Sequence, residues 1–189
     1  MDLLTQLDVK PVSTNTEAPI RTLNINLHAA PGVGKSATAN RLTSLLKLRN
    51  INAELVPEYS KELHWDGRLD KTEQFIITAE QWRRQALLQG KIQVVVADSA
   101  VALGSVYAPD AYKEPLKLII QELTKDWWSL DIMLERKSGL TPEQFQIQKN
   151  ILDMTRLSGK NYYVDTVDET VSARLADKIV KMLDKHKSQ

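Results

Sequence analysis

Ala29-Ala30-Pro31-Gly32-Val33-Gly34-Lys35-Ser36 is the stretch of sequence that decides the fold. It matches the pattern G-x-x-x-x-G-K-[ST] at every fixed position except the first, where Ala29 stands in place of glycine. The two glycines allow the backbone to turn so that successive N–H groups converge on an anion. Lys35 can reach the outer phosphates of a nucleotide, and the Ser36 hydroxyl can ligate Mg²⁺. The stretch therefore predicts a loop that binds nucleotide phosphates.

The sequence on either side of this loop has the pattern that such a loop requires. Residues 23–28 alternate apolar and polar side chains, which predicts a strand that leads into the loop. Residues 37–49 carry apolar side chains at helical spacing, and the N-terminus of that helix adds the positive end of its dipole. The residues expected to contact the nucleotide are Ala30, Pro31, Gly32, Val33, Gly34, Lys35, Ser36 and Ala37.

The rest of the chain alternates strand-like and helix-like segments. Further strands are predicted at residues 53–57, 92–97, 127–134 and 161–165, and helices at residues 70–89, 115–125, 142–157 and after Thr166. The helix at 142–157 is predicted to start with Thr141 as its N-cap and Gln144 three residues on. In the helix at 70–89 the predicted buried stripe is Phe75, Ile76, Ala79, Trp82, Ala86 and Leu87. This alternation predicts an α/β fold with a mostly parallel five-stranded sheet and helices on both faces.

Composition and charge exclude several classes of protein. The chain has 189 residues, of which 42% are hydrophobic and 26% charged, as in an ordinary globular protein. Its net charge of +1 gives no electrostatic argument for binding nucleic acid. The absence of cysteine excludes disulfides, thiolate zinc sites and a cysteine nucleophile. No apolar run can span a membrane and no secretory signal is recognisable, so we expect a cytoplasmic protein.

The first twenty residues differ from the remainder of the chain. A short apolar patch at residues 3–7 precedes a polar stretch at residues 11–19 with no periodicity, and together they predict a flexible arm at residues 1–20 in front of one domain at residues 21–189. Two interpretations of the arm stay open. It is either a disordered tail, or a segment that docks on a protein partner or on a second copy of the chain.

Two acidic residues are expected at the same sheet edge as the loop. Asp98 follows the predicted strand at 92–97, at the carboxyl edge where ligands bind in open α/β folds. With Ser36 it could hold the Mg²⁺ of a bound nucleotide, or it could instead cap the next helix. Glu58 ends the second strand, where it could accept a proton from an acceptor hydroxyl or interact with a helix dipole.

With these acids placed, the chain resembles the ribosylnicotinamide-kinase-like P-loop family, which includes phage-encoded proteins labelled AAA family ATPase or kinase. The resemblance spans about residues 22–110 and is carried by residues 26–36, 55–63, 97–99, 103–104 and 107–108. The combination of Pro57-Glu58 and Trp65 is also similar to deoxynucleoside kinases. The resemblance implies a three-layer fold of the nucleoside or nucleotide kinase type, ATP (or GTP) with Mg²⁺, and host cytoplasm if the chain is phage-encoded.

The resemblance also implies which residues face the phosphoryl acceptor. These are Glu58, Tyr59, Trp65 and Arg68, of which the aromatic two could stack on a base or could simply pack in the fold. The chain departs from the family in the segment after the fourth strand, which is short at residues 135–141. There Arg136 and Lys137 could stabilise charge on the transferring phosphate, or they form a solvated basic turn.

Two functions of different classes follow from the sequence. The first is an ATP-dependent kinase for a nucleoside-like small molecule, in which Lys35, Glu58, Asp98 and Arg136 act on the reacting groups. The second is a nucleotide-binding regulatory protein with weak or no kinase activity, which acts through a protein partner. An AAA-type motor is not expected, because the chain has no room for the additional helical domain.

Overall fold

A five-stranded sheet organises the computed structural model, which describes residues 20–70, 73–136, 139–157 and 162–187. Its strands are β1 Leu23–His28, β2 Ala53–Val56, β3 Val94–Ala97, β4 Trp128–Glu135 and β5 Tyr162–Thr166. They lie in the order β2-β3-β1-β4-β5, and every pairing is parallel. The predicted α/β fold with a five-stranded sheet is therefore confirmed, and the sheet is parallel throughout.

Helices connect these strands. They are α1 Lys35–Leu48, α2 Tyr59–Trp65, α3 Gln74–Ala86, α4 Leu103–Tyr107, α5 Lys113–Thr124, α6 Pro142–Leu157 and α7 Val171–Lys187. The sequence did not predict α2 and α4, which are too short to show a helical repeat of apolar residues. Among the described residues, none of the helices has the length and apolar character needed to cross a membrane.

The central strand β1 is buried on both faces, although its sequence alternates. Leu23, Ile25 and Leu27 belong to the main core together with side chains of α1 and α7. The opposite face is polar, and Asn24, Asn26 and His28 on it make hydrogen bonds within the protein, while His28 Nδ1 has no partner among the described residues. Asn26 Nδ2 donates to Asp131 Oδ1 at 3.0 Å, and His28 Nε2 lies 2.9 Å from the same oxygen.

The buried stripe predicted for the helix at 70–89 is largely wrong, although Trp82 is half-buried and packs against a core cluster. Phe75, Ile76 and Leu87 are each about half exposed, whereas the side chains that α3 buries are Gln74, Ile77, Thr78, Gln81 and Gln85. Two of these polar side chains have hydrogen-bonding partners: Gln81 Oε1 accepts from the Tyr59 N–H at 3.1 Å, and Thr78 Oγ1 donates to the Gln74 carbonyl at 2.7 Å. The buried face of α3 is therefore set partly by contacts with other segments, which the spacing of apolar residues does not show.

The predicted arm at residues 1–20 cannot be compared with the structure, because residues 1–19 lie outside the described residues. Its boundary with a domain at residues 21–189 stays a prediction. The described part of the chain contributes its strands to one sheet, which agrees with a single domain from about residue 21 onward.

Helix α4 approaches α3 closely at Gly104. A methyl group there would lie 3.0 Å from Cβ and Cγ2 of Thr78, and closer still to its hydroxyl. We expect Gly104→Ala to lower the free energy of unfolding by about 1–3 kcal/mol, because the buried Thr78 has no room to move. Chemical denaturation measures this change. Adding Thr78→Ala should restore part of the loss, and a Gly104→Ala variant as stable as the wild type would contradict the packing.

Candidate active site

The glycine-rich loop between β1 and α1 needs glycine at two positions for its backbone geometry. Gly32 has φ +78° and Gly34 has φ +108°, a region that other residues rarely adopt. A side chain at Gly34 would also lie 3.3 Å from Cγ1 of Val167, which follows β5. The two glycines therefore fix the path of the loop, and they explain why the motif has glycine at these positions.

The start of α6 is tied to this loop. Thr141 and Gln144 form the predicted reciprocal cap, with the Gln144 N–H donating to Thr141 Oγ1 and the Thr141 N–H donating to Gln144 Oε1. Gln144 Nε2 also donates to the carbonyl of Pro31 at 2.9 Å. The segment that follows β4 is thus held against the loop by a side chain whose role the sequence did not reveal.

Lys35 brings together the two acids predicted from the sequence. Its Nζ donates to Glu58 Oε2 at 2.9 Å, lies 3.3 Å from Asp98 Oδ1, and contacts the Asp98 carbonyl oxygen. These residues come from three separate segments: the start of α1, the end of β2 and the end of β3. Parallel strands place them together because their carboxyl ends meet at one edge of the sheet.

The surroundings of each acid bear on the alternatives left open by the sequence. Asp98 is buried and does not cap a helix, since Ala102 occupies the N-cap position of α4. Glu58 occupies the N-cap position of α2, but its carboxylate makes no capping hydrogen bond. It accepts instead from Lys35 and from Ser60 Oγ at 2.8 Å. Both carboxylates therefore face the loop.

Lys61 is a residue of this site that the sequence analysis missed. Its Nζ donates to Asp98 Oδ2 at 2.8 Å and to Ser36 Oγ, and it lies 3.5 Å from Glu58 Oε2. It follows Glu58 by three residues, a spacing that places both side chains on one side of a helical turn. That signal was present in the sequence, but it has meaning only if residues 59–65 are known to be helical.

The charges of this cluster stabilise one another. Burial raises the pKa of Glu58, but Lys35, Ser60 and Lys61 outweigh it and hold that pKa below its usual value. Burial likewise raises the pKa of Asp98, and the two lysines with Ser36 bring it below its usual value. Burial lowers the pKa of Lys61, yet the pKa is raised overall by Asp98 and Glu58. Glu58, Asp98 and Lys61 are therefore charged at neutral pH.

A cleft of about 410 Å³ lies over the loop. Besides the loop itself, its walls include Glu58, Lys61, Leu103 and Tyr107. Seven of the eight residues predicted to contact the nucleotide line this cleft, including Lys35 and Ala37. Val33 does not, because its side chain is buried in the main core.

Tyr59, Trp65 and Arg68, which are predicted to face the acceptor, do not line this cleft. The ring of Tyr59 is half-buried, and the guanidinium carbon of Arg84 lies 4.8 Å from its centroid. Trp65 is 78% exposed at the end of α2. Arg68 is also exposed and forms an ion pair with Asp66. Neither Trp65 nor Arg68 lines the cleft over the loop.

The predicted basic residues after β4 are not in contact with the acids. Arg136 is exposed and does not line the cleft, and it makes no hydrogen bond or ion pair with any residue that the structure describes. Lys137 lies outside the described residues. Their predicted role on the transferring phosphate stays a prediction.

The donor set fits a magnesium ion that arrives with a nucleotide. No group of three or more histidine, aspartate or glutamate side chains in the described ranges is placed to hold a metal. Ser36 Oγ and Asp98 Oδ2 nevertheless lie within reach of one cation, since the Lys61 ammonium contacts both. One hydroxyl and one carboxylate are a sparse set, and Mg²⁺ with few protein ligands normally completes its shell with phosphate and water oxygens.

Comparisons with known proteins support the fold. No family model matches the sequence, and no curated protein matches it at a significant level. The structure of the Mycobacterium tuberculosis APS kinase CysC in complex with AMPPNP and APS is similar, with a TM-score of 0.51 and 15% identity over 88% of this chain and 99% of that chain. A cysteine-to-alanine mutant of that enzyme matches 73% of this chain and 99% of its own, with a TM-score of 0.43 and 15% identity.

The chain has the P-loop kinase fold. The likeness to the complexed APS kinase shows this, and it confirms the three-layer architecture expected from the sequence. At this identity the likeness carries no substrate or activity over to the chain, so both are argued below from the site itself.

Replacing Lys35 tests the electrostatics of the cluster. In Lys35→Met the pKa of Glu58 should rise, because burial remains while the strongest charge that lowers it is removed. Carbon-13 NMR titration of the Glu58 carboxyl measures this pKa. In the wild type the lowered pKa of Glu58 stabilises the folded state above the unfolded pKa, and this stabilisation is lost as the pH falls through the folded pKa. The variant should therefore be less stable than the wild type at neutral pH, and the difference should shrink as the pH falls.

Lys47→Met is the matched control, because Lys47 pairs with Glu54 on the exposed surface. It should leave the titration of Glu58 unchanged. An unchanged Glu58 titration in Lys35→Met would contradict the contact between Lys35 and Glu58.

Proposed function

We propose that the chain is a P-loop kinase that transfers a phosphoryl group from ATP (or GTP), with Mg²⁺, to a nucleoside- or nucleotide-like small molecule. The convergence of Lys35, Glu58 and Asp98 beside the glycine-rich loop is the observation that carries the proposal. A loop that only binds phosphate has no use for a second carboxylate at this edge. A kinase requires one to orient the attacking hydroxyl.

Each group has a defined part in the proposed reaction. The backbone N–H groups of residues 32–37 bind the phosphates, and Lys35 turns from the carboxylates to the outer phosphates. Ser36 and Asp98 hold the metal, which when bound supplies positive charge against the developing charge on the phosphate. Glu58, whose lowered pKa keeps it ionised, accepts the hydrogen bond or proton of the acceptor hydroxyl.

The class of acceptor is proposed from the resemblance to ribosylnicotinamide-kinase-like proteins. Tyr59, Trp65 and Arg68 belong to the proposed acceptor side, since all three lie on or just after the helix that begins beside Glu58. Because Trp65 and Arg68 are exposed, their participation requires the acceptor to cover them. Arg136 is proposed to act on the transferring phosphate from the short segment after β4. A location in the cytoplasm belongs to the same proposal.

The alternative function is a nucleotide-binding regulator with weak or no kinase activity. The exposed position of Arg136, away from the cleft, favours it, because a slow kinase can result when no arginine reaches the transferring phosphate. In that case a protein partner or a second copy of the chain would bind through residues 1–20. Deleting these residues should abolish such a complex.

Labelled ATP and a panel of nucleosides and nucleotides test the proposed kinase. We expect one acceptor to gain the label, and Glu58→Gln should lower kcat by about 10²- to 10⁴-fold while ATP still binds. Glutamine keeps the shape and one acceptor oxygen of Glu58, so a fall in kcat would show that the reaction requires the negative charge of Glu58. Glu54→Gln, at an exposed position in β2, is the control and should retain full activity.

The regulatory function predicts the opposite result. ATP would bind to the wild type, but no compound of the panel would gain the label. That outcome would contradict the proposed kinase.

A further inference from the structure

The Lys61 ammonium contacts the same two oxygens that are proposed to ligate the metal. It donates to Ser36 Oγ and, at 2.8 Å, to Asp98 Oδ2. Magnesium coordinates oxygen at about 2.0–2.1 Å. A metal bound to these two oxygens would lie no more than about 5 Å from the ammonium, where two cations repel each other. Lys61 and the metal would therefore compete for this pair of ligands.

Lys61 has more freedom to leave these ligands than the other lysine. Its side chain is 37% exposed, whereas that of Lys35 is 11% exposed. Lys35 is also held on both sides, by Glu58 and by Asp98. Lys61 lies on the short helix α2 and lines the cleft over the loop. Once displaced, its charge therefore stays beside the place where the phosphates are proposed to bind.

We propose that Lys61 competes with the divalent metal for Ser36 and Asp98 and, after the exchange, binds the phosphates of the nucleotide. The proposal rests on the proposed metal and phosphate site. Lys61 then supplies the positive charge beside the phosphate, a role that was predicted for Arg136 from the sequence. Arg136 itself lies outside the cleft. Metal without nucleotide would have to displace Lys61 with no phosphate to receive it, so metal and nucleotide should bind together.

Metal binding in the absence of nucleotide tests the competition. Titration with Mn²⁺, followed by electron paramagnetic resonance, should show weak binding to the wild type and binding about tenfold tighter or more to Lys61→Met. The increase is expected because the variant leaves Asp98 without its competing cation. Lys61→Gln provides a second neutral variant in case methionine disturbs α2, and it should show the same increase.

Nucleotide binding in saturating Mg²⁺ tests the second half of the proposal, because the metal then displaces Lys61 from Ser36 and Asp98. Under these conditions calorimetry should show that AMPPNP binds to Lys61→Met about tenfold more weakly than to the wild type, because one phosphate ligand is lost. Lys61→Arg keeps the charge and should retain most of the affinity. Lys47→Met, which removes an exposed lysine of α1, should match the wild type in both titrations.

These two readouts separate the inference from the proposed function. Equal Mn²⁺ affinity in the wild type and in both neutral variants would overturn the competition, whatever the nucleotide does. Tighter Mn²⁺ binding with unchanged AMPPNP affinity would overturn the role of Lys61 on the phosphate. If neither the wild type nor any variant bound AMPPNP, the proposed function would fail. The Mn²⁺ titration would still decide whether Lys61 and the metal compete for Ser36 and Asp98.

Discussion

The site depends on the two ion pairs that the Lys35 ammonium makes with Glu58 and Asp98. These pairs join the start of α1 to the ends of β2 and β3, so that three elements converge on the glycine-rich loop. Two carboxylates this close repel each other in a partly buried site unless cations compensate them. Lys35 and Lys61 supply that compensation, and they are also the groups best placed to bind phosphate oxygens when a nucleotide enters.

Much of the fold could be predicted from the sequence because its signals are local. The glycine-rich loop, the β-branched run in β3 and the cap at Thr141 and Gln144 each depend on a few neighbouring residues, and the structure has all of them where they were expected. Glu58 and Asp98 could be placed as well, because any residue that ends a parallel strand lies at the carboxyl edge.

The remainder depends on contacts between distant segments, which a sequence pattern does not contain. The buried face of α3 was predicted wrongly, because a side chain such as Gln81 is buried where it accepts from the Tyr59 N–H, some 20 residues earlier in the chain. Lys61 was missed because α2 is too short to show a helical repeat. The exposure of Trp65 could not be foreseen either, since an aromatic residue beside a predicted site suggests packing or stacking equally well.

The central claim is that main-chain amides at the entrance of α1 bind a nucleotide's phosphates. Amide proton and nitrogen NMR shifts of Gly32, Gly34 and Lys35, recorded as AMPPNP and Mg²⁺ are added, test it most directly. Large, saturable shifts are expected at these residues, with smaller ones at the far end of α1 near Leu48. Unchanged shifts at all three amides, at analogue concentrations that saturate kinases of this fold, would contradict it.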